Sequence, residues 1–362
     1  MAPLASSFSK SYTEARQKFL NAAEAAGLAV DSYIHPLKGR DGEELAMDVV
    51  LDGAPDAQHL LIISSACHGV EGYCGSGVQI HALQDRPWRD AAQARGVAVL
   101  YIHALNPHGF SHVRRVTHEN VDINRNFQDF SKPLPDNAPY KEVQPLLLPE
   151  VWPPDAANTA AIQQFIAERG LQALQAAVTR GQHEFPDGLF FGGKAPTWSN
   201  LTLRQVLQKY ARHCQKLAWI DLHTGLGPSG VGERIFACAD DAPTFARAKA
   251  WWGEGITSIY DGSSTSAFLT GLMWMSAYQE CPQAEYTGMA MEYGTQPQLQ
   301  VMNALRGDHW LHLHPQAPAP LRQKIKQDLM DAFYTDTDAW RTQIVDQAME
   351  AMHQAVTGLS TP

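Results

Sequence analysis

Short apolar runs alternate with longer amphipathic segments along most of the chain. Runs of roughly four to eight apolar residues between turn-forming residues are typical of buried strands, whereas apolar positions spaced three or four residues apart are typical of helices. The first pattern predicts strands at residues 29–35, 45–51, 59–66, 97–103, 217–222, 233–238 and 287–293. The second predicts helices at residues 8–26, 75–85, 156–178, 200–214, 241–252, 297–313 and 321–353. This alternation predicts the α/β class, with a three-layer α/β/α arrangement around a central mixed, largely parallel sheet.

The section at residues 132–154 interrupts this alternation with many prolines. Proline has no backbone N–H and clashes with the preceding turn of a helix. We therefore expect this section to form a long irregular surface loop that borders a cleft.

Composition and charge narrow the classes of function. The formal net charge is -10 and lysine and arginine form no continuous run, which argues against nucleic acid as a partner. No apolar run reaches the roughly 18–20 residues that span a bilayer, which argues against a membrane protein. The segment 1–27 carries charges throughout, so it predicts an amphipathic helix and not a signal peptide. Five cysteines without paired spacing favour a reducing, cytoplasmic location, and the oligomeric state stays open.

His68 and Glu71 are the first candidate metal ligands. They follow the predicted strand at residues 59–66, and Gly69 permits a sharp turn that brings the imidazole and the carboxylate together. The competing interpretation is that both side chains cap the following helix, because a helix N-terminus favours an acidic residue.

His223 is the third candidate ligand. It ends the apolar run 219–222 and precedes turn-forming residues, so it also lies at the end of a predicted strand. Open α/β sheets bind their ligands at such strand ends. Two histidines and one glutamate form the ligand set of a catalytic zinc and leave the fourth position open, which predicts one Zn²⁺ per chain.

Several arginines follow the predicted strand at residues 97–103, among them Arg114, Arg115 and Arg125. Arg125 follows Asn124 in a segment bounded by apolar residues. A partly buried arginine needs an acceptor, and its planar fork suits a carboxylate. The competing interpretation is a solvated loop with surface arginines.

Glu292 ends the apolar run 288–291. Desolvation would raise the pKa of this carboxyl and suit it to accept a proton from water at a metal. A buried structural glutamate is the competing interpretation.

Together these motifs resemble the zinc carboxypeptidases of the carboxypeptidase A type, and among them an uncharacterised bacterial branch. They are also similar to the aspartoacylase and succinylglutamate desuccinylase group. The resemblance covers about residues 60–300. The motifs that carry it are, in chain order, His68-x-x-Glu71, Asn106-Pro107-x-Gly109, Asp122-x-Asn124-Arg125-Asn126-Phe127, His223 and Glu292.

The resemblance implies that His68, Glu71 and His223 are zinc ligands. It also implies that Glu292 is the general base that activates water. The expected fold is that of the zinc carboxypeptidases.

For the substrate, the resemblance implies that Asn124 and Arg125 hold a terminal carboxylate. One of Arg114 and Arg115 is expected to stabilise the oxyanion, and the choice between them stays open. Tyr260 is expected to cap the substrate, although a plain loop tyrosine is an equal alternative.

These roles predict a zinc-dependent hydrolase that cleaves an amide bond next to a free carboxylate. The first hypothesis is a metallocarboxypeptidase that removes a C-terminal residue from a peptide. The alternative is a deacylase of N-acyl amino acids of the aspartoacylase type, and the third hypothesis is a non-catalytic zinc-binding protein.

The spread of the candidate residues also predicts the domain organisation. A length of 362 residues would allow two domains, but residues 68–292 must converge on one metal. We therefore predict a single metallocarboxypeptidase-like domain over residues 1–362, with a core at about 28–315, an N-terminal helix at 8–26 and a C-terminal helix at 321–353.

Overall fold

Seven strands and thirteen α-helices are present in residues 4–361, the part of the chain that the computed structural model describes. The strands are β1 (Val30–Lys38), β2 (Glu44–Asp52), β3 (His59–Ser65), β4 (Val97–His103), β5 (Lys216–Ser229), β6 (Gly232–Phe236) and β7 (Glu285–Gly294). The helices are α1 (Tyr12–Ala25), α2 (Gly72–Gln84), α3 (Arg86–Ala94), α4 (Pro107–Ser111), α5 (Ala138–Leu147), α6 (Ala156–Arg169), α7 (Leu171–Thr179), α8 (Trp198–Tyr210), α9 (Ala242–Trp252), α10 (Ser276–Glu280), α11 (Gln298–Leu313), α12 (Ala319–Phe333) and α13 (Asp338–Ser360). Short 3-10 turns occur at Leu4–Ser7, Gly69–Glu71, Ile123–Arg125 and Met273–Met275.

The strands form one mixed sheet in the order β1-β2-β4-β3-β5-β7-β6. The four central strands β4, β3, β5 and β7 are parallel. The outer strands β1, β2 and β6 pair with their neighbours in the antiparallel sense. The predicted α/β class with a mixed sheet is therefore confirmed, and the parallel pairing is concentrated at its centre.

The burial of the central strands explains their apolar sequences. All seven residues of β4 are buried, and in β3 every residue after His59 is buried. Strands covered by helices on both faces carry such continuous apolar runs. The helices begin at polar caps: Ser11 accepts a hydrogen bond from the Glu14 N–H at 3.1 Å, so α1 begins at Tyr12 and not at residue 8.

Two predicted helices are each divided in two. Gly170 separates α6 from α7 with φ of 89°, a conformation that glycine adopts without steric cost. The predicted C-terminal helix at 321–353 consists of α12 and α13, because the Thr337 side chain accepts a hydrogen bond from the Trp340 N–H at 3.3 Å and starts a new helix. The prediction of one continuous C-terminal helix was wrong.

The proline-rich section also contains regular structure, because α5 lies within residues 132–154. Asn137 caps this helix by accepting a hydrogen bond from the Tyr140 N–H at 3.3 Å. Pro139 lies in the first turn, where a backbone N–H has no partner within the helix. The prediction that the whole section is irregular was wrong.

A large apolar core packs the helices against the sheet, and a smaller cluster lies beside it. The smaller cluster joins α5 and α7 to Leu189 and Phe190, which follow α7. All five cysteines are buried and none forms a disulfide. Within residues 4–361, no helix combines the length and the apolar composition needed to cross a membrane.

Candidate active site

The candidate ligands and the candidate base lie at one edge of the sheet. His68 follows the end of β3, and Glu71 ends the 3-10 turn after it. His223 belongs to β5 and is in register with Glu292 of β7. Because the carboxyl ends of parallel strands share an edge, Glu71 and His223 come into contact although they are 152 residues apart in the chain.

His68, Glu71 and His223 form a compact, buried cluster. Nδ1 of His68 lies 2.8 Å from Oε1 of Glu71, and Nδ1 of His223 lies 3.0 Å from Oε2 of the same carboxylate. One ligand atom from each residue lies within 4.8 Å of the other two. Burial alone raises the pKa of Glu71, but His68 and His223 lower it below the ordinary range of a glutamate. Two imidazole nitrogens and one ionised carboxylate fit the ligand set of Zn²⁺.

Asp221 orients one of these imidazoles from behind. Nε2 of His223 donates to the Asp221 carboxylate, which also accepts a hydrogen bond from the Ser64 hydroxyl at 2.6 Å. Burial lowers the pKa of His223, but Asp221 and Glu71 outweigh it and raise that pKa well above its ordinary value. The arrangement leaves Nδ1 facing Glu71, where a metal ion would take the place of the proton.

Asp221 was not among the predicted site residues, although the sequence contains a signal for it. Residues two apart in a strand lie on the same face, so Asp221 and His223 could have been paired once both were assigned to β5. Cys67, Asp221 and His223 also come close to one another. Burial raises the pKa of the Cys67 thiol well above its ordinary value, which favours the neutral thiol at this position.

Asp122 holds the other side of the cluster. Its carboxylate lies 3.3 Å from Nε2 of His68 and accepts a hydrogen bond from Nε of Arg115 at 3.0 Å. The same carboxylate accepts from the backbone N–H of Asn124 at 2.9 Å. In the sequence, Asp122 is only part of a motif. The structure shows that it links a candidate ligand, an arginine and the turn that carries Asn124.

Glu292 is half-buried and lies outside the ligand cluster. Its Oε1 accepts a hydrogen bond from the backbone N–H of Leu226 at 2.9 Å. Burial and the neighbouring Glu71 raise the pKa of Glu292 to about 7, against the opposing effect of His223. A carboxyl with a pKa near neutrality is suited to accept and return a proton.

The structure separates the two adjacent arginines. Arg115 lines the cavity and donates to Glu71 at 3.2 Å. Arg114 points elsewhere: its Nε donates to Asp308 at 3.2 Å and its Nη1 lies 3.0 Å from His312. Of the two candidates for the oxyanion, only Arg115 lies beside the ligand cluster.

The motif around Asn106 positions Arg115. The Asn106 side chain accepts from the Gly109 N–H at 2.8 Å and donates to the Arg115 carbonyl at 3.2 Å. A Cβ atom on Gly69 would lie 2.1 Å from the carbonyl carbon of Gly109. Glycine at position 69 therefore allows the turn with Glu71 to pack directly against this motif.

Arg125 lies in the same cavity, in the 3-10 turn Ile123–Arg125. It donates to the Thr179 carbonyl at 2.9 Å through Nε, again to Thr179 through Nη2, and to the Asn124 carbonyl at 2.8 Å through Nη1. A guanidinium has five N–H donors, so two stay available for a ligand. Burial lowers the pKa of Arg125 to about 10.

The Asn124 side chain also lines the cavity. Its Oδ1 accepts a hydrogen bond from the Met273 N–H at 3.0 Å, which leaves the side-chain NH₂ group available as a donor.

Tyr260 does not reach the cavity. Its hydroxyl donates to the Cys238 carbonyl at 2.8 Å, and its neighbour Ile259 lines the cavity instead. The structure therefore places Tyr260 as a packed loop residue, away from the position expected of a substrate cap.

The cavity encloses about 860 Å³ of empty space, part of which is open to solvent. Its ionisable lining residues are the six discussed above: His68, Glu71, Arg115, Arg125, His223 and Glu292. The remaining lining residues are uncharged and mostly apolar, including Phe190, Leu226, Ile235, Ile259, Leu269, Trp274, Ala290, Val301, Met302, Leu305 and Phe333. The cavity therefore combines a few charged side chains with a mostly apolar lining.

Comparison with known proteins identifies the family of the chain and its fold. The chain belongs to the family described as "Protein of unknown function (DUF2817)", whose profile matches residues 8–347. No curated protein matches the sequence significantly.

Among solved structures, the chain is similar to thrombin activatable fibrinolysis inhibitor, with a TM-score of 0.51, 11% identity, and coverage of 99% of this chain and 77% of that one. The bovine form of that protein, in complex with tick carboxypeptidase inhibitor, has a TM-score of 0.49 and 8% identity, with coverage of 97% of this chain and 97% of that one. A metallo-carboxypeptidase from Burkholderia cenocepacia has a TM-score of 0.38 and 10% identity, with coverage of 93% of this chain and 68% of that one. The first likeness establishes a shared fold, and the predicted resemblance to the zinc carboxypeptidases is confirmed at that level.

Proposed function

We propose that the protein is a zinc-dependent hydrolase that cleaves an amide bond next to a free carboxylate, and specifically a metallocarboxypeptidase. The observation that carries this proposal is the meeting of the His68, Glu71 and His223 cluster, Glu292 and Arg125 in one cavity. Each of the three parts has a different task in amide hydrolysis, and a structural role would not require them to meet.

His68, Glu71 and His223 would hold the metal. A zinc ion bound there supplies a Lewis acid that polarises a carbonyl and makes water more acidic. The deep burial of the three ligands keeps bulk water from competing for this site, and Asp221 and Asp122 fix the two imidazole rings.

Glu292 accepts the proton of the attacking water and later delivers it to the leaving nitrogen. Its pKa of about 7 allows both steps at neutral pH. Arg115, beside Glu71, donates to the oxygen that becomes negative in the transition state.

Arg125 and Asn124 bind the free carboxylate of the substrate. Arg125 is buried, and its hydrogen bonds within the described chain go only to backbone carbonyls, so a substrate carboxylate would be its ion-pair partner. Fixing this group sets the position of the amide carbonyl that lies one residue away.

The apolar lining supports an uncharged side chain on the residue that bears the carboxylate. A basic or acidic side chain would lie among residues such as Ile235, Ile259 and Leu269 without a counter-ion, and burying an unpaired charge is costly.

One observation favours the deacylase as a second candidate function. Helices α7 and α11 both contribute to the cavity wall, through Gln175 and Thr179 on the first and Val301, Met302 and Leu305 on the second. These walls limit the size of the substrate that the cavity can hold, as expected for a small N-acyl amino acid.

Metal analysis combined with a substrate panel tests the proposal. The purified protein is expected to bind one Zn²⁺ per chain, and His223→Ala should lose most of it, because an open catalytic site needs all three ligands. The exposed His213 provides the control, since His213→Ala should keep its zinc. Stoichiometric zinc in a folded His223→Ala variant would contradict the ligand assignment.

The panel pairs each peptide and each N-acyl amino acid with its C-terminally amidated form. Free-acid substrates with apolar side chains should be cleaved best. A preference for peptides supports the carboxypeptidase, and a preference for N-acyl amino acids supports the deacylase. Equal cleavage of the free-acid and amidated forms would contradict both.

A further inference from the structure

Phe190 connects the two arginines that face the cavity. The guanidinium carbon of Arg115 lies 4.9 Å from the centre of the Phe190 ring, and that of Arg125 lies 5.7 Å from it. Both distances fall within the reach of a cation–π contact, which extends to about 6 Å. The ring itself lines the cavity and is 6% exposed.

The two arginines differ in their hydrogen-bond partners. Arg115 has two carboxylate partners, Asp122 at 3.0 Å and Glu71 at 3.2 Å. The described hydrogen bonds of Arg125 go to backbone carbonyls instead. Burial lowers the pKa of Arg125, the nearby Asp122 opposes this effect, and the like charge of Arg115 adds to it. The face of the Phe190 ring attracts both cations, so one side chain can stabilise the two guanidinium groups close to each other.

The backbone holds the ring in this place. Phe190 has φ of 53°, a left-handed conformation that non-glycine residues adopt at a cost and that persists only where the surroundings enforce it. The Phe190 carbonyl accepts from the Gln182 N–H at 3.1 Å, and the carbonyl of the next residue, Phe191, accepts from the Asp122 N–H at 2.8 Å. The residue after Phe190 is therefore bonded to the same Asp122 that binds Arg115.

The aliphatic part of Arg125 is held by the same segment. A Cβ atom on Gly181 would lie 2.6 Å from Cδ of Arg125, and one on Gly192 would lie 2.9 Å from its carbonyl oxygen. Glycine at both positions lets the segment 181–192 close around Arg125. The segment 181–192 therefore packs against Arg125 at both glycines and contacts both guanidinium groups through the Phe190 ring.

We infer that Phe190 is a positioning residue, whose ring fixes Arg115 and Arg125 at the separation needed to hold a substrate's carboxylate and its developing oxyanion at the same time. This inference rests on the proposed function and adds a residue that the motifs do not contain. The ring acts through the two arginines and takes no part in bond making.

Phe190 also packs in the smaller apolar cluster with Tyr140 and Leu174, so a variant could lose activity simply by folding less well. The test therefore uses a ratio that is independent of the folded fraction. This ratio is kcat/KM for a free-acid substrate divided by kcat/KM for its amidated form, because misfolding lowers both terms equally. Dissociation constants of a product amino acid and its amide, measured by calorimetry on the zinc-loaded protein, give the same ratio without turnover.

Phe190→Leu keeps an apolar side chain but removes the aromatic face. We expect it to lower the ratio about 2- to 30-fold, the range of a cation–π contact, while Phe190→Tyr keeps the native ratio. Phe191 is the matched control, since it is the adjacent phenylalanine, is 5% exposed and does not line the cavity. Phe191→Leu should leave the ratio unchanged.

The outcomes separate this inference from the proposed function. A native ratio near one overturns the proposed function and the positioning role together. A large native ratio that Phe190→Leu does not change overturns the positioning role alone. The same holds if Phe190→Tyr lowers the ratio as much as Phe190→Leu.

Discussion

The two ends of the cavity are built differently. The proposed metal end, formed by the ligand cluster and Glu292, is built on the sheet. His223 and Glu292 lie in paired strands, and His68 lies just after a third strand. The proposed carboxylate end, formed by Asn124 and Arg125, is built on turns and loops. Arg125 lies in a 3-10 turn, and its side chain donates to the carbonyl of Thr179. Strand ladders fix side chains through the backbone, whereas the carboxylate end depends on contacts between segments.

The charges of the two ends differ as well. At the metal end, the carboxylates of Glu71, Asp122, Asp221 and Glu292 surround two imidazoles and Arg115. At the other end Arg125 is buried without a hydrogen-bonded carboxylate. Under the proposed function, the metal ion would occupy the first end and the carboxylate of the substrate the second.

Removing the base from the metal end gives the largest expected effect. Glu292→Gln keeps the shape and a hydrogen-bond acceptor but cannot accept a proton, so kcat should fall by at least about 10²-fold. Zinc content, measured on the same sample, should not change, because Glu292 lies outside the ligand cluster. Loss of zinc would show that Glu292 is a ligand, and near-native turnover would show that it is structural.

The pH dependence of the native protein tests the same residue. Its kcat/KM should decline as the pH falls through the pKa of Glu292, since the protonated carboxyl cannot act as a base.

Removing the cation from the carboxylate end tests the other half of the comparison. Arg125→Ala should lose about 2–5 kcal/mol of transition-state stabilisation with free-acid substrates, or about 30- to 4000-fold in kcat/KM. It should lose little with amidated substrates, which lack the partner charge. The exposed Arg180 follows the Thr179 that binds Arg125, so Arg180→Ala is the control. Equal losses on both kinds of substrate would show that Arg125 serves the fold and not the carboxylate.

A smaller effect, on zinc affinity, is expected from Asp221, the hydrogen-bond partner of His223. Asp221→Asn removes the charge that orients His223 while keeping a side chain of similar size, so zinc affinity should fall about 10- to 100-fold. Competition with a chelator measures this change. Asp240 is exposed and provides the control, since Asp240→Asn should not alter affinity. An unchanged affinity in Asp221→Asn would mean that the strand alone orients the ligand.

Strand and helix positions were predictable where one pattern dominated. The buried run of β4 was predicted at its observed bounds, because a strand covered on both faces needs apolar residues throughout. Helix boundaries were less accurate, since a single glycine at 170 or a cap at Thr337 divides a segment whose apolar spacing continues. In the sequence, Pro139 and Pro145 argue against a helix where α5 lies. Pro139, however, occupies the first turn, where a helix tolerates proline.

By itself, the sequence determined which residue types were available for chemistry and that strand ends would present them. His68, Glu71, His223 and Glu292 could be named because each follows or ends an apolar run, and parallel strands bring such positions to one edge. Their zinc-binding and catalytic roles stay predictions that the experiments above address.

Only the tertiary structure decided which neighbours face the cavity. Arg114 and Arg115 are equivalent in the sequence, but one pairs with Asp308 and the other with Glu71. Tyr260 and Phe190 are both loop aromatics, yet the first bonds to a backbone carbonyl and the second lies beside two arginines. The physical reason is that loop side chains take their direction from contacts with segments distant in sequence, and no local pattern of apolar and polar residues encodes those contacts.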